Sequence, residues 1–346
     1  MLRKQFRIIG DIVLALLLGL IIWCRNDRGA ADYYALKLYP HISNVLSRLS
    51  SAVPFTLEEL IVLAFVAAMV LAVILGVRGK ERWHVILGRE LRLLLVVYVW
   101  FYAGWGLNYS RSSLSQRTGT PLAQFDEDAF RSFLADYAAA LNESYEASYS
   151  LPADLEQEVR DFYAGRSQEC GLAGPKDWQA PKKALASALF SKVGVTGSMG
   201  PFMGESMLNG DMPESEYPFT FAHEFAHLMG VSSEAEANYW GFRFCKASRI
   251  PAVRYSGYCT LLGNVLRNAR RLLPEDEYAE FVGSVREEVR DDYNARVEFW
   301  AGKYSKTLGK IQDVMYNAYL KGNGISSGTR NYDEFVGLVM TFGDGL

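Results

Sequence analysis

The sequence predicts a mainly α membrane protein, with three transmembrane helices followed by a helical α+β domain. Three observations carry that expectation. Three apolar stretches of near-membrane length crowd into the first third of the chain. From Asn108 onward the composition turns globular. Beyond that point helical spacing is broken by one Gly-rich extended segment, after which helices run to the C-terminus. The chain has 346 residues, enough for one or two domains. We divide it into a membrane region, 1–107, and a second domain, 108–346.

The first span covers about 8–24, from Ile8 to Cys24, with Asp11 near its start. A cleaved signal peptide is the other reading of this segment. No small-x-small site follows it, and Trp23 stands where a lipoprotein needs a small residue, so it reads as an uncleaved anchor. The second covers 57–77, where Thr56 and Glu59 suit a capping box. The third covers 91–107, and its aromatic end, Tyr98 to Trp105, suits a membrane interface. Each approaches the roughly 20 residues that a helix needs to cross the hydrocarbon core.

Basic residues set the orientation. Arg3, Lys4 and Arg7 precede the first span, and Arg78, Lys80, Arg82, Arg89 and Arg92 crowd the short loop before the third. Arg25, Arg28, Lys37 and Arg48 are spread over the longer first loop. This bias places the N-terminus and second loop inside. The expectation is a multi-pass protein of the cytoplasmic membrane, with the lipid bilayer as a partner and the C-terminal domain outside. A net charge of −3 without a long basic run argues against nucleic acid. The four cysteines, Cys24, Cys170, Cys245 and Cys259, form no CxxC pair, which argues against a thiolate zinc knuckle. Nothing in the sequence sets an oligomeric state.

In the second domain, residues 126–148 read as a helix with Phe130, Leu134, Tyr137 and Leu141 on one face. Gly171, Gly174, Pro175 and Pro181 mark a loop. Residues 194–210 read as extended chain with turns, and helices resume near Pro218.

That last helix carries the chemistry. His223-Glu224-Phe225-Ala226-His227 is an HExxH motif, and it holds two of the chain's four histidines. Residues four apart share a helix face, so both imidazoles can bind one zinc ion while Glu224 serves as general base. Pro218 fits the first helical turn. A zinc site needs a third protein ligand. The other histidines, His41 and His84, lie far upstream, so the ligand should be a carboxylate, with Glu234 and Glu236 the nearest candidates. Gly230 can end the first helix and Ser232 or Ser233 can cap the next, folding a glutamate back toward the metal.

Glu234-Ala-Glu-Ala-Asn238 resembles the E-x-x-x-D element of gluzincin peptidases, including thermolysin-like enzymes and the integral-membrane heat-shock and prenyl-protein metalloproteases. The resemblance implies a zincin-like domain in which Glu234 is the third zinc ligand and Asn238 supports a zinc-bound histidine. Asn238 replaces the Asp of the pattern, and the gap after His227 is shorter than in thermolysin-like enzymes; Glu236 stays as the alternative ligand. More widely, the chain is similar to an uncharacterised bacterial membrane-protein family of unknown function, with N-terminal spans before a zincin-like domain. WGLNYSR (Trp105–Arg111), GPFMGES (Gly200–Ser206), PFTFAHEFAH, EAEAN, YNAYLKGNG (Tyr316–Gly324) and the Tyr332 region carry that similarity.

Around the motif, Gly200 to Asn209 reads as an edge strand that aligns extended substrate by strand addition, and Glu205 as a group for a substrate amine or for solvent. Tyr316, Tyr319, Arg330 and Tyr332 are candidate oxyanion donors. Asn108, Tyr109 and Arg111 read as anchors at the membrane interface. Together these features imply a membrane-anchored zinc metallopeptidase acting on a protein or peptide substrate, with Zn2+ held by His223, His227 and Glu234. The alternative is a zinc-binding, non-proteolytic membrane sensor or envelope assembly factor.

Overall fold

The computed structural model describes residues 2–124, 126–146, 148–167, 170–323 and 334–343. The chain opens with α1 (Leu2–Asn26) and α2 (Arg28–Tyr33), and a π-helical turn, Tyr34–Leu38, leads into α3 (Tyr39–Ser50). Two long helices follow, α4 (Leu57–Val77) and α5 (Trp83–Gly104). A 3-10 turn, Gly106–Ser110, then leads to α6 (Leu114–Thr118), α7 (Glu127–Ser144) and α8 (Leu155–Ala164). A small mixed region holds β1 (Pro181–Lys183), α9 (Ser187–Lys192), β2 (Gly197–Gly200) and β3 (Glu205–Leu208). Helices complete the fold: α10 (Tyr217–Leu228), α11 (Glu234–Ala247), α12 (Pro251–Leu272), α13 (Glu275–Ser284), α14 (Glu287–Lys303), α15 (Lys306–Gly322) and α16 (Glu334–Phe342).

Among the described residues, two helices are long and apolar enough to cross a membrane, where the sequence led us to expect three. They are Ile8–Asn26, with mean hydropathy 2.2, and Leu57–Val77, with 3.2. Both turn large apolar side chains outward, among them Leu16 and Leu20 on α1 and Leu63, Val66 and Val70 on α4. The third expected span differs for a physical reason. α5 begins at Trp83, and its first turns carry Arg89, Glu90 and Arg92. Its apolar second half is spent on the protein interior, where Val99 and Tyr102 are buried. Arg92 pairs with Asp11 of α1 at 3.2 Å.

The capping box expected at α4 does not form. Thr56 instead hydrogen-bonds the Glu59 carboxylate, which itself accepts from the Leu185 and Ala186 amides, both at 2.7 Å. The open N–H groups of Leu57 and Glu58 donate to Glu205 at 3.1 and 2.8 Å. Glu58 in return accepts from Phe202 and Met203 at 3.0 and 2.9 Å. Helix ends leave backbone donors unmet, and here a carboxylate nearly 150 positions away meets them. Glu205 also accepts from Lys182 Nζ at 2.7 Å and is 3% exposed. It is therefore a helix cap and ion-pair partner, neither solvent-facing nor open to a substrate amine.

The sheet has strand order β1-β3-β2. β1 runs parallel to β3, and β2 runs antiparallel to it, with Gly197 opposite Leu208 and Gly200 opposite Glu205. The expected edge strand at Gly200–Asn209 is thus corrected: β3 is central and fully buried, and the edges are β1 and β2, of which β2 lies just upstream of β3. α7 buries Phe130, Leu134, Tyr137 and Leu141, as their spacing predicts. α10 packs against α11, α12, β2 and β3. Phe221, Ala222, Phe225 and Ala226 have no exposed surface, so the motif helix lies in the core.

Candidate metal centre

The centre is built on one helix–turn–helix. Pro218 lies in the first turn of α10, where its missing N–H breaks no helical bond. α10 ends at Leu228, and Gly230 adopts φ +93°, a conformation that favours glycine. A Cβ at Gly230 would also lie 3.1 Å from the Tyr39 ring. The Val231 N–H bonds back to the Ala226 carbonyl at 3.1 Å, a Schellman-type closure. Ser233 then caps α11 by accepting from the Glu236 N–H. This turn reverses the chain and presents Glu234, the first residue of α11, to the histidines.

His223 Nε2 and His227 Nε2 lie 3.2 Å apart. Glu234 Oε2 is 3.4 Å from the first and 3.6 Å from the second. Zinc–ligand bonds of about 2.0–2.1 Å in a tetrahedron require donor–donor edges of about 3.3 Å. The three donors therefore have the spacing of three corners of such a site. His227 Nδ1 contacts the Val231 carbonyl at 2.7 Å; donating its proton there leaves Nε2 with a free lone pair. Glu224 belongs to the same cluster, with Oε1 3.9 Å from His223 Nε2. Its Oε2 is buried without a partner among the described residues, as is His223 Nδ1. Buried polar atoms are ordinarily satisfied, so these point to a group that the protein itself does not provide.

The electrostatics follow from this crowding. Burial raises the Glu224 carboxyl above its ordinary range, outweighing the pull of His223 and His227. Burial alone pushes the His227 imidazole down, but the Glu234 carboxylate, aided by Glu224 and the Val231 carbonyl, overcomes it and lifts it to about 9. Burial also works against the Glu234 carboxylate, yet His227 and His223 hold it well below its usual range.

A cleft of about 870 Å³ opens over the cluster, walled by β2, α12, α14 and α15. Binding clefts typically span about 300–1,000 Å³. The edge strand lies directly above Glu224: a Cβ at Gly197 would fall 2.7 Å from Glu224 Cγ. Only a residue without a side chain lets this strand approach so closely.

Several residues named from the sequence take other places. Glu236 turns away from the histidines; it pairs with Arg117 and accepts from Trp240 Nε1 at 3.2 Å. Asn238 lines the cleft, but the contact that orients His227 comes from Val231. Tyr316 of α15 reaches the centre and donates to Glu234 Oε1. Tyr319 lines the cleft beside Tyr109, with ring centroids 5.7 Å apart. Arg330 and Tyr332 lie outside the described residues.

The segment read as a membrane anchor braces the turn between α10 and α11. Ser232 Oγ donates to the Asn108 carbonyl at 2.9 Å, and Tyr109 lines the cleft. Trp105 Nε1 donates to the His227 carbonyl at 3.0 Å, Tyr39 OH to Leu228 at 2.8 Å, and Arg111 Nη1 to Gly230 at 3.0 Å. The last carbonyls of a helix lack intrahelical donors; Trp105 and Tyr39 supply two of them on α10, and Arg111 holds the Gly230 carbonyl of the turn. Sequence reasoning gave Tyr39 and Arg117 no role, and placed Trp105 at a membrane interface. For Trp105 and Arg111 the signal was the WGLNYSR run; Tyr39 and Arg117 carried none.

No curated protein and no solved structure matches the chain. One family model does match, over residues 34–340, from the π-helical turn to the last described helix. That match spans most of the chain, which therefore belongs to the family described as Protein of unknown function (DUF3810).

Proposed function

We propose that this chain is a membrane-anchored zinc-dependent peptidase with a zincin-like domain. The observation that carries the reading is the triangle of donors from His223, His227 and Glu234, at 3.2 to 3.6 Å, beside the unpartnered Glu224 carboxylate. When bound there, zinc supplies a Lewis acid that polarises a carbonyl and acidifies a water. The chain's own residues do the rest. β2 offers its edge to an extended peptide, and Gly197 lets the substrate backbone come close to Glu224. Glu224 takes the proton of the attacking water and delivers it to the leaving amine. Burial supports this role, because a carboxylate of raised pKa is the better base near neutral pH. Tyr316 holds Glu234 in place through its hydroxyl. Trp105, Tyr39 and Arg111 fix the turn that carries the ligands.

The same reading includes the topology. α4 leaves the domain at Leu57, where Glu205 caps it, and α5 returns to the domain at Gly104, beside the Pro201 carbonyl. Trp83 and Ile86 of α5 meet Gly76 at the far end of α4. A chain that enters the bilayer along α4 must come back along α5, packed against it, although α5 itself is not apolar enough to count as a third span. The charges on α5 then lie near the far interface, where long side chains reach water. With the basic loop at Arg78–Arg82 inside, the domain faces the extracytoplasmic side.

The test is peptide hydrolysis by the full-length chain and by Glu224→Gln, with zinc measured in both. The amide keeps shape and ligands but cannot accept a proton. General acid–base catalysis is worth about 10²–10⁴-fold, so activity should fall by at least about two decades with zinc retained. Near-normal hydrolysis by the variant refutes the mechanism.

A further inference from the structure

The cleft has a polar wall that the proposed chemistry does not use. Thr260, Asn264 and Arg267 lie on one face of α12 and line it. Arg296 and Trp300 of α14 line it too. Arg296 is largely buried, with its side chain 13% exposed. Its Nε donates to Glu216 at 2.9 Å, and one terminal nitrogen, Nη2, approaches Thr260 Oγ1 at 3.4 Å. The other, Nη1, is buried with no oxygen acceptor among the described residues, and the guanidinium also lies against the Cys259 thiol. Arg267 is exposed and pairs with no acid among the described residues. The acids nearby are committed elsewhere. Glu216 also accepts from Trp300 Nε1 at 3.0 Å, and Glu224 and Glu234 face the histidines. Asp313 of α15 is the exposed acid of the cleft.

We infer that this wall is a subsite for a carboxylate of the substrate, so that the cleft selects peptides carrying an anionic group. The inference rests on the peptidase reading for its substrate class. A buried guanidinium N–H with no oxygen acceptor, and only a thiol beside the group, is a costly arrangement that an anionic acceptor relieves. Guanidinium groups suit carboxylates because their N–H groups match both oxygens. Arg267 adds positive charge at the same wall without needing any local bond broken. Glu216 directly precedes α10, so the subsite lies about 10 Å along that helix from His223, at 1.5 Å per residue. An extended chain covers that span with about three residues. The carboxylate is thus a free C-terminus, or an Asp or Glu side chain, about three residues from the bond that is cut.

The experiment uses the full-length chain in detergent with N-terminally blocked fluorogenic peptide pools. One pool has free carboxyl ends, a second is the same set as carboxamides, and a third is amidated with an internal Glu. We expect either the first or the third pool to be cleaved with kcat/KM roughly tenfold or more above the second, as a charged hydrogen bond allows. Which of them wins tells a chain end from a side chain. Arg267→Glu should cut that preference by roughly tenfold, and Arg267→Lys should keep most of it. Arg296→Lys keeps a cation opposite Glu216, deletes the Nη1–H groups, and should lower the same ratio. If the variant does not fold, the Arg267 pair carries the test. Binding of the same pools to Glu224→Gln, read by fluorescence anisotropy, separates this idea from the peptidase reading. Carboxylate-dependent binding that Arg267→Glu weakens, with no pool cleaved by the unaltered chain, keeps the subsite and sinks the peptidase. Equal cleavage of all pools keeps the peptidase and overturns the subsite. A carboxylate preference untouched by Arg267→Glu and Arg296→Lys also overturns it, since the metal centre would then be reading the anion.

Discussion

Two regions of this molecule bury glutamates, and they treat them in opposite ways. Where α4 meets the β2–β3 hairpin, every carboxylate is spent on the fold. Glu205 accepts from two backbone amides and Lys182, Glu58 from Phe202 and Met203, and Glu59 from Leu185 and Ala186. At the turn between α10 and α11, Glu224 and Glu234 face imidazoles, and Glu224 Oε2 has no partner among the described residues. An unmet buried polar atom costs about 1–3 kcal/mol, a cost that persists where a site holds a group ready for a ligand. The same contrast recurs two residues apart on α11. Glu234 is aimed at the histidines, while Glu236 is locked to Arg117 and Trp240.

That pair offers the largest way to break the comparison. Glu234→Ala should abolish tight zinc binding while the fold persists, because it removes a ligand. Glu236→Ala should do the reverse. It leaves Arg117 buried and unpaired, which costs about 3–5 kcal/mol, yet the folded fraction should keep its zinc. Thermal melts and zinc content of both variants check this, and zinc loss at Glu236 equal to that at Glu234 would erase the distinction.

The next effect is set by pH. In the metal-free protein, His227 holds its proton up to about 9, because the Glu234 carboxylate lies against it. Ligands must be deprotonated to bind metal. Below about 9, one proton must leave for each zinc bound, so apparent affinity should rise about tenfold per pH unit and level off above that value. Competition titrations with a chelator between pH 6 and 10 measure the slope. A flat profile from pH 6 upward contradicts the Glu234–His227 pairing.

A smaller effect tests the support behind the ligands. Tyr316→Phe removes the hydroxyl that donates to Glu234 and nothing else. Loss of such a supporting hydrogen bond typically costs about 10–100-fold in metal affinity or activity. Unchanged affinity and unchanged activity would make that contact incidental.

These regions also differ in how far the sequence disclosed them. His223, Glu224, His227 and Glu234 were legible because their geometry is local. A four-residue spacing puts two imidazoles on one face, and a glycine with a serine cap turns a nearby glutamate back. The choice between Glu234 and Glu236 leaned on a resemblance; the structure separates them through Arg117, which lies 119 positions upstream of Glu236. The role of Glu205 was illegible for the same reason, since its partners at Leu57 and Glu58 are nearly 150 residues away. Local pattern instead suggested a capping box within 56–59. The third apolar stretch was visible as composition, but hydropathy alone does not tell a lipid-facing helix from one whose Val99 and Tyr102 point into the protein. WGLNYSR stood out as a run of residues, yet its task of meeting the last carbonyls of α10 emerges only when both segments are in place.

The central claim is that the α10–α11 turn is a zinc site, and metal content tests it most directly. Full-length protein purified in detergent, exposed to excess zinc and then exchanged into metal-free buffer, should retain one zinc per chain by mass spectrometry. His223→Ala, treated identically and matched in helical content by circular dichroism, should retain almost none. A folded, unaltered chain that retains no zinc, or a His223→Ala chain that retains as much, contradicts the account.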